Sequence, residues 1–328
     1  MADLIKEVNL PDPQQKVQNG QVFPYIVSPA AESDFSDANK TCAWIKNNID
    51  YIQSCLLQYG AILFRDFPIK NPENFDQFVK AFGYDALPYI GGAAPRTLVV
   101  GNVFTSNEAP PEMLIPFHHE MAQVPTYPSV LFFYCNISPP EGGQTPLVIS
   151  NLVYEQMLKL NESFVNKLKE FGVNYTRVLP NGDDPTSPIG RGWQSTYGTT
   201  NKEEAEKKAL EFVGQIEWLP DGCLKTVTDV LPAVRENMRT GKMTWFNSII
   251  AVYRGWNDCR NSPETSITFG DGSPMDPVVM ATLENVLSEL AIDFMWKEGD
   301  VVMVDNRQVL HGRRSFVPPR QILAALCK

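Results

Sequence analysis

All three histidines of this 328-residue chain lie in two short motifs, one in its first half and one close to its C-terminus. The first motif is Phe-His-His-Glu at residues 117–120, and the second occupies residues 305–311. Imidazole and carboxylate groups are common ligands of transition metals. The pattern therefore predicts a fold that brings two distant segments together around one metal ion.

The spacing inside the first motif predicts which side chains face the ion. In an extended strand, residues i and i+2 face the same side, so His118 and Glu120 are expected to point at the metal while His119 points away. His311 is the expected third ligand. Two imidazoles and one carboxylate leave coordination positions open, which suits a non-haem Fe(II) that binds a chelating co-substrate and dioxygen. A His-x-Glu pair taken alone is more often an incidental pair.

Short apolar runs rich in β-branched and aromatic residues predict strands next to both motifs. These runs lie at residues 60–65, 98–103, 130–135, 146–149, 243–246, 301–304 and 322–326. The 26 prolines and 21 glycines cluster between such runs, as expected for turns. We predict a mainly β fold of the α+β class, with a barrel or sandwich core that holds the site and with helices at its flanks.

Apolar residues at helical intervals predict helices over residues 41–58, 75–82, 152–169 and 202–214. A segment rich in Pro, Gly and Asp, residues 180–188, separates the last two. We therefore interpret residues 1–328 as a single domain, in which residues 180–240 form a helical and loop insertion. An insertion of this kind is expected to act as a lid over a substrate.

Composition excludes several classes of partner. A formal net charge of -10 argues against binding to nucleic acids or anionic membranes, because both require an excess of Lys and Arg. No stretch approaches the roughly 20 apolar residues of a membrane span, and the N-terminus lacks a signal-peptide run. The six scattered cysteines indicate buried thiols of a reducing compartment. We predict a cytoplasmic protein; its oligomeric state cannot be inferred from these patterns.

The order of several motifs resembles the taurine dioxygenase and clavaminate synthase-like superfamily of Fe(II)/2-oxoglutarate-dependent oxygenases. Particular similarity to plant proteins described as clavaminate synthase-like comes from residues 91–96 and 115–123. The resemblance covers most of the chain and implies a double-stranded β-helix, or jelly-roll, core. The matching elements are residues 60–65, His118-x-Glu120, residues 142–145, Trp245-Phe246-Asn247, Gly299-Asp300, residues 305–311 and Arg320.

The resemblance also implies where 2-oxoglutarate binds. In similar enzymes the 2-oxo acid end chelates the metal, while an arginine and a threonine hydroxyl hold the distal carboxylate. Arg320 and Thr145 match those roles. A planar guanidinium forms paired, charge-assisted hydrogen bonds to a carboxylate, which makes the assignment chemically reasonable. Arg313 and Arg314 compete for the role of Arg320; otherwise they are interpreted as an exposed, solvated basic turn.

Candidate substrate contacts are weaker. Arg96 follows a glycine-rich stretch and is a candidate for an anionic substrate, and Asn247 offers a side-chain amide; loop tethering and strand termination are their structural alternatives. Sulfonate-binding relatives carry a second arginine four residues after the co-substrate arginine, where this chain has Ala324, which argues against taurine. Related halogenases lack the carboxylate ligand, so Glu120 favours oxygenation.

The resemblance implies an enzyme that uses Fe(II), 2-oxoglutarate and dioxygen to hydroxylate, desaturate or cyclise a small, amino-acid-like molecule, with release of succinate and carbon dioxide. Two alternatives stay open. One is a cupin-type metal enzyme that does not use 2-oxoglutarate. The other is a non-catalytic barrel that binds a metabolite or a protein.

Overall fold

The computed structural model describes residues 4–18, 20–87, 89, 96–187 and 189–328, so Gly91–Pro95 of the glycine-rich stretch lie outside the described residues. The strands are β1 (Ile5–Glu7), β2 (Lys16–Gln18), β3 (Gln21–Phe23), β4 (Tyr25–Pro29), β5 (Ala61–Phe64), β6 (Leu98–Val100), β7 (Val103–Thr105), β8 (Ile115–His118), β9 (Val130–Ile137), β10 (Glu141–Gly142), β11 (Leu147–Ile149), β12 (Val173–Leu179), β13 (Gln215–Trp218), β14 (Leu224–Val227), β15 (Arg235–Asn237), β16 (Lys242–Thr244), β17 (Ile267–Phe269), β18 (Val301–Asp305), β19 (Val309–Arg313), β20 (Phe316–Val317) and β21 (Gln321–Cys327). The helices are α1 (Ala38–Asn47), α2 (Ile49–Tyr59), α3 (Pro72–Ala81), α4 (Ser150–Leu160), α5 (Glu162–Phe171), α6 (Trp193–Tyr197), α7 (Lys202–Ala209), α8 (Ile249–Gly255), α9 (Pro263–Ser266) and α10 (Pro277–Leu290).

Eight strands form the large sheet in the order β1-β4-β5-β18-β9-β21-β7-β6. Neighbouring strands are antiparallel except for β4 and β5. The central strands β18, β9 and β21 are nearly continuous apolar runs, because protein covers both faces of the sheet there. Val302 pairs with Phe133, and Ala325 pairs with Phe132.

A smaller sheet with the order β11-β19-β8 carries both histidine motifs. Leu147 of β11 and Val309 of β19 belong to the same buried cluster as Leu63, Phe133 and Val302 of the large sheet. The two sheets therefore share one core, and the predicted jelly-roll architecture is confirmed.

Helices α1 to α3 cover the opposite face of the large sheet. Trp44 and Phe78 belong to one buried cluster with Phe64 and Phe132 of β5 and β9. The sequence pattern predicted one helix over residues 41–58, but the structure has two, because Asn48 adopts non-helical dihedral angles between them. Asn161 divides the predicted helix over residues 152–169 in the same way.

The segment that follows α5 adds a second layer of structure. Strands β13, β14, β12 and β17 form a separate antiparallel sheet in that order. Trp193 and Tyr197 of α6 pack with Leu179 and Leu224 of this sheet in a cluster of their own. Residues 180–240 therefore contribute strands as well as the helices and loops expected from the sequence.

Two of the matching sequence elements meet through a buried ion pair. Arg65, just after β5, donates from Nε and Nη2 to the two carboxylate oxygens of Asp300, at 3.1 and 2.6 Å. Both side chains are almost fully buried. The pair ties the end of β5 to the turn that precedes β18, and so fixes neighbouring strands of the large sheet.

Among the described residues no helix has the length and apolar character needed to cross a membrane. The cytoplasmic location stays a prediction. Four cysteines are buried, whereas Cys259 is exposed and Cys42 is partly exposed. The interpretation of all six as buried thiols is therefore wrong for these two.

Candidate metal centre

Strand pairing brings the two histidine motifs together. In the antiparallel pair formed by β8 and β19, His118 lies directly opposite His311, and their ring centroids are 4.4 Å apart. The Nε2 atom of His311 is 3.6 Å from Oε2 of Glu120. One potential ligand atom from each of His118, Glu120 and His311 lies within 4.8 Å of the other two. Three donors from distant parts of the sequence thus surround one point.

Glu120 reaches this point by a different route from the expected extended strand. Strand β8 ends at His118, and Glu120 lies in a turn that continues to Met121, whose φ angle is 57°. The side-chain amide of Asn306 determines this conformation. Its Oδ1 accepts from the backbone N–H of Glu120 at 2.8 Å, and its Nδ2 donates to the Glu120 carbonyl at 3.0 Å.

His119 is held outside the cluster. Its Nδ1 contacts the carbonyl of Asn306, and its Nε2 is 3.0 Å from the hydroxyl of Ser150. The ring stacks on Phe246 with centroids 4.5 Å apart. Both ring nitrogens therefore have partners within the protein. His119 thus links the first motif to Asn306 of the second motif and to Ser150 at the start of α4.

The protonation states of His118 and Glu120 suit metal binding. Nδ1 of His118 donates to the carbonyl of Pro116 at 2.9 Å, which leaves Nε2 with its lone pair. Burial lowers the pKa of His118 to about 4, so the neutral imidazole is favoured. Burial opposes ionisation of Glu120, but the positive charge of Arg96 outweighs it and holds the pKa of Glu120 well below its usual range. Two imidazoles and a carboxylate fit a divalent transition metal with open positions.

The three donors line a cavity of about 390 Å³. Its walls are formed by Arg96, Ser106, Asn107, Ile115, His118, Glu120, Phe133, Thr145, His311, Gly312, Arg313, Arg320 and Ile322. Thr145 is buried there, and its Oγ1 accepts from the indole N–H of Trp296 at 3.2 Å. The cavity therefore brings together His118, Glu120, His311, Thr145, Arg320 and Arg96 from the predicted site residues.

Arg320 lies at the cavity wall with its charge uncompensated. Its Nε donates to the carbonyl of Gly143 at 2.9 Å, but no carboxylate among the described residues pairs with its guanidinium. Burial lowers the pKa of Arg320. Gly143 has a φ angle of +69°, and a Cβ there would lie 2.8 Å from Cδ of Arg320, so only glycine permits this approach.

Comparisons with known proteins identify the family of this chain. The family model described as "Taurine catabolism dioxygenase TauD, TfdA family" matches residues 28–326. The chain belongs to the TauD/TfdA dioxygenase family. It is 47% identical over 331 residues to the clavaminate synthase-like protein At3g21360 of Arabidopsis thaliana, covering 100% of both chains. It is 28% identical over 287 residues to the dapdiamide synthesis protein DdaC of Enterobacter agglomerans, covering 84% of both chains.

A solved structure shares the fold of this TauD/TfdA family member at low sequence identity. The crystal structure of AAD-2 in complex with Mn(II) and N-oxalylglycine matches 98% of this chain and 97% of its own chain. The TM-score is 0.53 and the sequence identity is 14%. This likeness supports the fold alone.

Arg96 contacts the carboxylate of the three-residue cluster in this member of the family. Its Nη2 donates to both oxygens of Glu120, at 2.9 and 3.0 Å. Its guanidinium carbon also lies 4.1 Å from the ring centroid of Tyr89. Arg96 therefore lies beside the candidate metal ligands as well as at the cavity wall.

Asn247 is the second predicted substrate contact of this TauD/TfdA family member, and it does not line the cavity. It is buried, and its Nδ2 donates to the carbonyl of Ala233 at 2.8 Å. Its Oδ1 accepts from the backbone N–H of Ile249 at 3.0 Å. The amide thus links the start of α8 to the segment before β15.

The expectation of an exposed basic turn at residues 313–314 is wrong for Arg313. A bulge between His311 and Arg313 accompanies its burial on β19, where the guanidinium donates to the carbonyls of Ala109, Pro110 and Met113. Arg313 thus anchors the loop that leads into β8. Arg314 pairs with Asp293 instead.

No local sequence pattern predicts the role of Asn306, and the only signal for it is its position inside the second motif. The same pattern-based prediction does not find Ser106 and Asn107 at the cavity wall. Residues 106–107 carry no local pattern that indicates a site, because their placement depends on long-range folding.

Proposed function

We propose that this protein is an Fe(II)- and 2-oxoglutarate-dependent dioxygenase that oxidises a C–H bond of a small organic substrate. For a hydroxylation, substrate, 2-oxoglutarate and dioxygen would give hydroxylated substrate, succinate and carbon dioxide. The observation that carries the proposal is one cavity containing both a cluster of His118, Glu120 and His311 and the uncompensated guanidinium of Arg320.

His118, Glu120 and His311 would hold the iron. Their imidazole and carboxylate groups form the ligand set that non-haem Fe(II) oxygenases use, with positions left for other ligands. When bound, the metal would supply the dioxygen chemistry that amino-acid side chains cannot supply. The chain itself would orient the reactants and exclude water.

Arg320 and Thr145 would bind 2-oxoglutarate. A buried guanidinium without a carboxylate partner favours an anionic ligand, because such a ligand would offset the cost of burying the charge. The Thr145 hydroxyl lies in the same wall and can donate a hydrogen bond while it accepts from Trp296. A dicarboxylate is therefore better suited to this wall than a neutral molecule.

The primary substrate would bind near Arg96, which suggests an anionic group on a small, amino-acid-like molecule. Ser106 and Asn107 add hydrogen-bonding groups to the same wall. Ala324, where sulfonate-binding relatives carry an arginine, is buried in β21 and offers no charge. The relative DdaC is named for dapdiamide synthesis, which agrees with a small-molecule substrate but does not identify it.

Residues 180–240 would cover the substrate within a single catalytic domain. Support comes from contacts that link this segment to the cavity. Nη1 of Arg191 donates to the carbonyl of Tyr89 at 3.4 Å, and its guanidinium carbon lies 5.6 Å from the centroid of that ring. Arg96 packs on the same ring. A movement of this segment would therefore affect Arg96.

The test is a screen of small metabolites for substrate-dependent succinate release and oxygen consumption with added Fe(II) and 2-oxoglutarate. Succinate release should require the substrate, Fe(II) and 2-oxoglutarate, and it should be lost in Glu120→Ala. Glu284→Ala, which removes an exposed carboxylate paired with Arg254, is the matched control and should retain activity. Conversion of substrate without 2-oxoglutarate would instead support a cupin-type enzyme, and equal activity in Glu120→Ala would contradict the proposed centre.

A further inference from the structure

A second cavity, of about 610 Å³, lies behind the metal centre. Phe246 forms part of its wall and stacks on His119, which lies between His118 and Glu120 in the sequence. The two cavities share none of their lining residues. The wall of the second cavity includes Arg235, Arg239 and Arg307, in a chain whose formal net charge is -10.

Two of these arginines have no acidic partner among the described residues. The Arg235 guanidinium packs over Phe246 at 3.5 Å and donates to the hydroxyl of Tyr127 at 2.8 Å. Burial lowers the pKa of Arg235, and the positive charge of Arg307 adds to that effect. Arg235 and Arg307 therefore place two like charges in the wall of one cavity.

The acidic groups near this cavity do not neutralise the positive charge of its arginines. Arg239 donates to Oδ2 of Asp305 at 2.9 Å, so the Asp305 carboxylate is already paired. Glu236 is at the cavity wall but exposed to solvent. Three guanidiniums therefore face one paired and one solvated carboxylate, which leaves a net positive cavity.

Asn237 provides an independent indication of a ligand. Its side chain lines the cavity and is 6% exposed. Its Oδ1 accepts from the backbone N–H of Arg239 at 3.0 Å, but its Nδ2 has no hydrogen-bond partner among the described residues. A buried donor without a partner is costly, and an acceptor in the cavity would remove that cost. Alternation along β15 places Asn237 on the same side of the strand as Arg235.

We propose that this cavity binds a small molecule bearing a carboxylate or phosphate group. Arg235 and Arg307 would provide charge-assisted hydrogen bonds to its oxygens, and Nδ2 of Asn237 would donate one more. This site is separate from the one assigned to 2-oxoglutarate and does not depend on the proposed reaction.

The test is isothermal titration of the full-length chain, loaded with Mn(II), with two probes at constant ionic strength. The probes are inorganic phosphate and propane-1,2,3-tricarboxylate, which distinguish a phosphate ligand from a polycarboxylate. Arg307→Gln removes one charge, and Asn237→Asp keeps the acceptor for Arg239 while placing a negative charge in the cavity. Each should weaken binding of the preferred probe by about tenfold or more.

Two further variants locate the binding. Arg254→Gln removes an exposed charge elsewhere, and Arg320→Gln removes the charge from the cavity of the metal centre; each should change the affinity by less than about twofold. The site is supported if binding of either probe is weakened by Arg307→Gln and Asn237→Asp but not by Arg254→Gln or Arg320→Gln. The probe that binds then identifies the ligand class. No binding of either probe, unchanged affinity in both Arg307→Gln and Asn237→Asp, or a loss confined to Arg320→Gln would overturn it.

Discussion

The side-chain amide of Asn306 holds both backbone polar groups of Glu120, accepting from its N–H at 2.8 Å and donating to its carbonyl at 3.0 Å. The same Nδ2 also donates to the carbonyl of Pro128 at 2.8 Å. Asn306 is fully buried, so no water replaces these bonds readily. One residue of the second histidine motif thus positions the carboxylate of the first, which is a candidate metal ligand.

Replacing Asn306 with alanine should weaken metal binding by about 10- to 100-fold, as is usual when a group that orients a ligand is lost. The reason is that the turn carrying Glu120 loses its support while all three donors remain. Equilibrium titration with Mn(II) measures the effect. Asn174→Ala, which removes an amide bonded to the carbonyl of Thr228, is the matched control. Equal affinities in the two variants would contradict the positioning role.

Replacing Arg320 with glutamine should raise the dissociation constant for 2-oxoglutarate by about tenfold or more, because a charge-assisted hydrogen bond is lost. Metal content should stay unchanged, since Arg320 contacts none of the three donors. Titration of the metal-loaded protein and metal analysis of the same sample provide both readouts. Arg314→Gln, which removes a guanidinium paired with Asp293, should bind 2-oxoglutarate normally. An unchanged dissociation constant in Arg320→Gln would assign the co-substrate elsewhere.

Replacing Asp300 with alanine should lower the free energy of unfolding by about 3–5 kcal/mol, because the Arg65 guanidinium would be left buried without its partner. Urea denaturation measures the change. Glu284→Ala breaks the exposed pair with Arg254 and should cost about 1 kcal/mol or less. A loss in Asp300→Ala no larger than in Glu284→Ala would show that the Arg65–Asp300 pair does not stabilise the large sheet.

The folded protein should lose stability at alkaline pH, partly because the Cys135 thiol is deprotonated more readily in the unfolded chain. Burial raises the pKa of this thiol to about 12, whereas an unfolded chain releases the proton near pH ~8.5. Because the folded pKa is raised, the stabilising contribution is complete below pH ~8.5 and is lost as the pH rises toward 12. In Cys135→Ala the slope of unfolding free energy against pH, between pH 9 and 11, should be shallower by about 1.4 kcal/mol per unit. Identical slopes would contradict a protonated buried thiol.

The strands and the grouping of His118, Glu120 and His311 were largely predictable because they depend on local pattern. Apolar runs at β5, β9, β18 and β21 predicted the core of the large sheet, and the spacing of His118 and Glu120 indicated a shared ion. The extended strand assumed for that spacing was wrong beyond His118. A long-range contact from Asn306, rather than strand alternation, turns Glu120 toward the cluster.

Charge patterns predicted less, because the environment of a charged side chain depends on the whole fold. Two adjacent arginines at residues 313–314 resemble a solvated turn, yet Arg313 is buried against the carbonyls of the loop before β8. Asn48 and Asn161 similarly interrupt helices whose apolar periodicity continues across the break. Neither effect is encoded in local hydrophobic spacing.

The central claim is that His118, Glu120 and His311 bind Fe(II) in a cavity that also binds 2-oxoglutarate. Visible absorption of the anaerobic protein with Fe(II) and 2-oxoglutarate tests it directly, because chelation of the metal by a 2-oxo acid produces a metal-to-ligand charge-transfer band. We predict this band in the unaltered protein and its loss in Glu120→Ala. Bound iron without the band in the unaltered protein would contradict the claim.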